Sequence, residues 1–171
     1  MQELWPNESA VIITASLQAD PDTTPRVTID FPDGDGYDCD TLCFPPQIPG
    51  QYKAISYSRY VGDLVALDSR DDTIPFSFID SSLFLFERTP VHIGYTLVPS
   101  ASRPYDSVPL FSGIHVGSDT WIVNPSAAIG YIPQLRDQPI KIHLDLPSTG
   151  ISEHLCRRIR WELSTPKATK S

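Results

Sequence analysis

The sequence predicts an all-β fold, an antiparallel β-sandwich or jelly roll of about ten short strands. Three observations carry that prediction. Seventeen prolines against nine glycines punctuate the whole chain. Proline neither donates to a central ladder nor continues a helix, so these positions mark strand ends and rigid loops. Apolar residues fall in short runs bounded by turn-forming residues, as strands do. No window holds a 3.6-residue apolar stripe long enough for a helix.

A chain of 171 residues suits one domain, and at that size roughly two-thirds of the unfolded surface is buried without help from a metal or disulfide. We place the sandwich at 10–164, after an N-terminal arm at 1–9 and before a polar, flexible tail at 165–171. An apolar share of 40% excludes a disordered chain. No apolar run approaches the ~20 residues of a spanning helix, so membrane insertion is not expected. The opening MQELWPNES lacks a basic region followed by an apolar stretch, so a secretory signal is absent or was removed before this numbering begins. Thirteen Lys and Arg against twenty-one Asp and Glu give a net charge of −8, which phosphate backbones and anionic lipids repel. Nucleic acid is not an expected partner.

In the arm, Leu4 and Trp5 are anchors and Asn7-Glu8-Ser9 spells a glycosylation sequon. Residues 10–17 (AVIITASL) form the first strand, and Val27, Ile29 and Phe31 alternate with polar residues in the second. The stretch 32–50 is too long for a hairpin turn and reads as an irregular loop of the kind that often carries function. Residues 52–60 (YKAISYSRY) and 64–67 read as strands split at Gly62-Asp63, with a polar loop at 69–73 after them. Phe76, Phe78 and Ile79 lead into the stretch from Ser82 to Val98, the centre of the prediction. Its contiguous run Leu83, Phe84, Leu85, Phe86 reads as a strand buried on both faces. Its alternating run Val91, Ile93, Tyr95, Leu97 reads as a half-buried strand. Glu87-Arg88-Thr89-Pro90 then connects them as a β-hairpin. A polar loop at 99–107 (PSASRPYDS) follows, and strands at 110–116, 120–123, 140–146 and 155–163 complete the set. The basic cluster Arg157, Arg158 and Arg160 reads as the solvated part of that last strand.

The most chemical-looking segment is Asp33-Gly34-Asp35-Gly36-Tyr37-Asp38-Cys39-Asp40. Alternating Asp and Gly lets several oxygens converge on a hard cation, so Asp33, Asp35, Asp38 and Asp40 are the candidate ligands of a calcium ion. The spelling is similar to the DGDG…CD element of thrombospondin type 3 calcium repeats, although it occurs once here and is a residue short. The alternative is an acidic solvated loop whose glycines supply positive φ. Cys39, Cys43, Cys156 and His154 could make a four-ligand zinc site, against a Cys39–Cys43 disulfide or three thiols. No Gly-x-Ser-x-Gly elbow exists, and Asp119-Thr120 is followed by Trp121 rather than glycine. His92, His115, His143 and His154 lie in or beside strands, where hydrogen-bonded side chains are commoner than bases. Glu87, Glu153 and Glu162 are the carboxylates a glycosidase would draw on. Catalysis is not expected.

Taken whole, a lysine-poor, proline-rich all-β unit with long polar loops at 32–50 and 99–107 resembles the protruding domain of a small icosahedral RNA-virus capsid protein. That resemblance implies a sandwich or jelly roll on the virion surface, a homodimer or trimer across one face, and loop tips that meet a host receptor. The ligand-binding candidates are the loop residues Arg103, Tyr105 and Tyr37. The alternative expectation is a stand-alone extracellular carbohydrate-binding module or lectin, calcium-dependent if the acidic loop holds an ion. Trp121, Tyr131, Tyr105 and Tyr37 would be its stacking platforms.

Overall fold

A computed structural model describes residues 11–16, 24–31, 39–48, 54–102, 108–109, 112–116, 121–135 and 140–145. The architecture is all-β and sandwich-like. The strands are β1 (Val11–Ser16), β2 (Arg26–Asp30), β3 (Thr41–Cys43), β4 (Val61–Leu67), β5 (Phe76–Asp80), β6 (Leu83–Phe86), β7 (His92–Leu97), β8 (Ile114–Val116), β9 (Trp121–Val123) and β10 (Ile140–Asp145). They form a five-stranded sheet in the order β10-β1-β2-β7-β4, a three-stranded sheet β3-β6-β5, and the pair β8-β9. Every pairing is antiparallel except β1 with β10, which is parallel. The short α-helix α1 (Pro125–Ala128) is opened by Asn124, whose side chain accepts from the Ser126 N–H, with Pro125 in the first turn. Among the described residues no helix is long and apolar enough to cross a membrane.

The core forms where alternation turns one face of each sheet inward. In the large sheet Val27 pairs with Tyr95 and Ile29 with Ile93, and Ala66 of β4 pairs with Ile93 from the other side. All five are fully or almost fully buried. Leu42, Phe84 and Phe86 come from the small sheet. Phe44 links the two layers, edge-on to Tyr95 at 5.9 Å and to Phe84 at 6.2 Å between ring centroids. Each such side chain contributes about 1.5–3 kcal/mol by leaving water.

The central hairpin expected between Ser82 and Val98 does not form. Strands β6 and β7 belong to different sheets, and the segment between them crosses from one layer to the other, with Glu87 N–H donating to Pro75 O and Val91 N–H to Leu67 O. The true hairpin partner of β6 is β5. Their turn is held by the Asp80 carboxylate, which accepts from the N–H and the hydroxyl of Ser82. The burial expected for the two runs is also reversed. Leu83 and Leu85 are only half-buried, whereas β7 is buried from Ile93 to Leu97 because β2 and β4 flank it.

Other differences are local. Residues 57–60 form a 3-10 turn rather than a strand, burying Tyr57 and Tyr60. Strand β4 runs through Gly62-Asp63 instead of breaking there. It absorbs the irregularity as a bulge between Gly62 and Val65, with Asp63 at φ 45° and its carboxylate accepting from the Thr96 hydroxyl at 3.1 Å. The loop at 32–50 contains β3. The strand expected at 155–163 lies outside the described residues.

Candidate functional site

Of the expected cation ligands, Asp33, Asp35 and Asp38 lie outside the described residues, as do Tyr37, Arg103 and Tyr105. Asp40 is half-buried and structurally employed. Its carboxylate accepts from Gln134 Nε2 at 3.1 Å, Gln134 Oε1 accepts from the Thr41 hydroxyl at 3.1 Å, and the Asp40 carbonyl accepts from Phe86 N–H at 2.7 Å. It thereby ties the start of β3 to β6 and to the 3-10 turn Pro133–Leu135. Among the described residues no group of three or more His, Cys, Asp or Glu could hold a metal ion.

Cys39 and Cys43 are thiols with no disulfide between them. Burial, and then the charge of Asp80, pushes the Cys43 thiol up, which keeps it protonated and a poor nucleophile. Cys156 and His154, which would complete a zinc site, lie outside the described residues. His92 Nδ1 meets Asp30 Oδ1 at 2.5 Å across the β2–β7 pair, and His115 Nε2 lies 3.4 Å from Pro109 O. Both histidines are within hydrogen-bond distance of these oxygens.

Other described polar side chains hold backbone in place. Asp68 accepts from the N–H groups of Arg70 and Asp72 and from Arg88 Nη2 at 2.8 Å. Those bonds hold its carboxyl below the usual carboxylate range. The same is true of Asp80 and its serine partner. The Ser100 hydroxyl accepts from Ile114 N–H at 2.9 Å. Ser58 donates to the Ser81 carbonyl at 2.6 Å, and Ser56 donates to the same oxygen. The buried Tyr95 hydroxyl donates to Ala128 O at 2.9 Å and accepts from Gly130 N–H at 3.0 Å. These groups are spent on folding.

What remains conspicuous is apolar. All five residues of β5 are exposed, and they include Phe76 (40%), Phe78 (53%) and Ile79 (54%). Phe76 and Phe78 sit at the rim of the core, with Phe78 5.0 Å from Phe84 and Phe76 5.9 Å from Phe84 and 6.2 Å from Phe86. The strand is the edge of its sheet, and among the described residues its outer backbone row has no hydrogen-bond partner. The opposite edge of that sheet is closed. Cys43 and Tyr131 exchange two backbone hydrogen bonds of 2.8 Å there. Sequence reasoning treated Phe76, Phe78 and Ile79 as a lead-in to a core hairpin. The alternation Phe-Ser-Phe was visible, but no sequence signal says which strand ends at a sheet edge.

Residues 13–170 match the peptidase M61 N-terminal domain, which is nearly the whole chain. The chain belongs to that family. Among solved structures, an aminopeptidase N family protein from Idiomarina loihiensis is similar to this M61 N-terminal domain with a TM-score of 0.64 at 17% identity. The likeness covers 81% of this chain and 22% of that one, so the domain spans less than a quarter of its structural neighbour. It shows the shared fold. No curated protein matches the sequence.

The family match corrects the capsid reading. Proline punctuation, few lysines and long loops are properties of many all-β domains, and they do not distinguish a virion spike from a peptidase-associated module. The expectation of virion-surface receptor attachment falls with it. So does the lectin alternative, since the aromatic platforms it relied on follow from the same composition.

Proposed function

We propose that the chain is a non-catalytic β-sandwich module of an M61-type peptidase, acting by association with the polypeptide that carries the peptidase chemistry. The observation that carries this reading is the match of residues 13–170 to a domain described as N-terminal in such peptidases. The geometry supports it. The carboxylates of Asp40, Asp68 and Asp80 are committed to turns and strand junctions. Carboxylates held in such hydrogen bonds are not also free to act as a base on water without loosening the fold.

The test uses the 171-residue chain and a family M61 peptidase expressed without its own N-terminal domain. We expect the chain alone to hydrolyse no peptide in an amino-acid release assay, and a mixture of the two to sediment as a 1:1 complex. Hydrolysis by the purified chain, or the absence of a complex at tens of micromolar, would refute the proposal.

A further inference from the structure

We infer that the open edge of β5, with Phe76, Phe78 and Ile79, is the surface that docks the catalytic portion of an M61-type peptidase, receiving from it a strand with apolar side chains flanked by Lys or Arg. This rests on the reading given above and assigns the contact to particular residues.

Three features lead there. The first is the edge itself. Natural β-proteins guard edge strands with bulges, charges or covering chain, because a bare row of N–H and C=O groups recruits another strand. Two other edges of this molecule, those of β4 and β3, are guarded among the described residues. Beside β4 the chain folds back so that Ile74 N–H donates to Ala66 O at 2.8 Å and Leu67 bridges Thr73, and the strand is bulged at Asp63. Beside β3, Tyr131 closes the ladder. Strand β5 carries a bulge only between Phe78 and Asp80, and displays three large apolar side chains. Strand addition supplies main-chain hydrogen bonds for affinity and side-chain contacts for specificity, and β5 offers both.

The second feature is charge. Between residues 68 and 88 five acids, Asp68, Asp71, Asp72, Asp80 and Glu87, stand against Arg70 and Arg88, and Arg88 is held by Asp68. Asp80 ends β5, while Glu87 donates its N–H to Pro75 at the other end, so the apolar strip has exposed acid at both ends. A basic-flanked strand complements that rim. A second copy would set the same acids against each other and carries the same net charge of −8, so like charges oppose self-pairing there.

The third feature is extent. The Idiomarina loihiensis protein that 81% of this chain resembles is a much longer polypeptide, of which the matching part is 22%. A domain of that kind has a large neighbour to meet, and an exposed apolar strip on an open sheet edge is a place for that contact to form.

The experiment titrates the chain against an M61 peptidase lacking its N-terminal domain, by calorimetry and by amide hydrogen exchange. For the wild type we expect slowed exchange at residues 76–80 in the complex. For Phe78→Ser/Ile79→Ser we expect binding weakened by at least about tenfold, as for loss of a central aromatic anchor. Val65→Ser, on the guarded edge, removes another exposed apolar side chain (42%) and should leave binding within about twofold. The exchange measurement needs no variant, so it decides even if the double variant misfolds. If the wild type binds but 76–80 stay unprotected and Phe78→Ser/Ile79→Ser binds normally, the β5 assignment is wrong and the accessory-module reading stands. If the wild type does not bind, that reading fails and takes the assignment with it. A β5-dependent homodimer, seen as a sedimentation shift abolished by Phe78→Ser/Ile79→Ser, would overturn the choice of occupant.

Discussion

Strands β5 and β7 differ little as sequences and greatly as structures. Phe-Ser-Phe-Ile-Asp and His-Ile-Gly-Tyr-Thr-Leu both have apolar residues at about half their positions. Yet every residue of β5 is exposed and β7 is buried from its second residue to its last. The cause is position. Strand β7 lies between β2 and β4, with a core beneath it, whereas β5 is the last strand of a three-stranded sheet. Burial thus follows a strand's neighbours more than its own hydropathy, and the two strands should answer to different measurements: β7 to stability, β5 to binding.

The sharpest break would be to find the same stability cost at both. Ile93 of β7 is fully buried between Ile29 and Ala66, so Ile93→Ala removes apolar contacts and leaves a cavity. Denaturant unfolding should show a loss of about 2–5 kcal/mol. An equal loss for Ile79→Ala on β5 would erase the distinction.

A smaller effect probes the polar side of the same burial. Tyr95→Phe keeps the ring against Phe44 but strands the Ala128 carbonyl and the Gly130 N–H, both inside, at a cost of about 2 kcal/mol. The pH dependence has a definite sign. Burial pushes the Tyr95 hydroxyl far up, against a smaller opposing pull from the Gly130 N–H. A folded pKa above the unfolded one means this contribution is whole below about pH 10 and fades as pH rises through the ordinary phenol range, where only the unfolded chain ionises. Unfolding titrations from pH 8 to 11 should therefore show falling stability, with a shallower slope in Tyr95→Phe. Part of the slope should persist, because burial also raises Tyr57 and Tyr131.

Smaller again is Gly130→Ala. The new methyl would sit 2.7 Å from Leu42 Cδ1 and 3.0 Å from Phe44 Cζ, so those two must shift, costing about 1 kcal/mol in thermal melts.

These contrasts also explain what was legible in the sequence. Period-2 alternation located β2 and β7 closely, and β1 and β10 were placed as short apolar runs between turn-forming residues. Pairing was less legible. Leu83 to Phe86 and Ile93 to Leu97 are near in sequence and strongly apolar, yet the Glu87-to-Pro90 segment carries the chain between layers, and local pattern does not distinguish a crossover from a hairpin. The 3-10 turn at Tyr57 to Tyr60 was missed for a related reason, since its tyrosines suit a strand and only tertiary packing holds them in a turn. The candidate surface was least legible. Asp33, Asp35 and Asp38 drew attention by composition, while Phe76 and Phe78 read only as the lead into a core hairpin, and nothing in an aromatic residue tells whether its sheet continues past it.

The smallest stability effect is the one that most sharpens the comparison. In Phe78→Lys the aliphatic stem can still lie over Phe84 while the ammonium reaches water, so unfolding free energy should change by no more than about 1 kcal/mol. A lysine at a sheet edge is the guard that β5 lacks, and it places a positive charge where a basic-flanked strand should dock. The variant should therefore melt close to the wild type, remain soluble at higher concentration, and lose the peptidase partner. A Phe78→Lys chain that melted as early as Ile93→Ala would mean that β5 belongs to the core after all, and that its exposure is not available for binding.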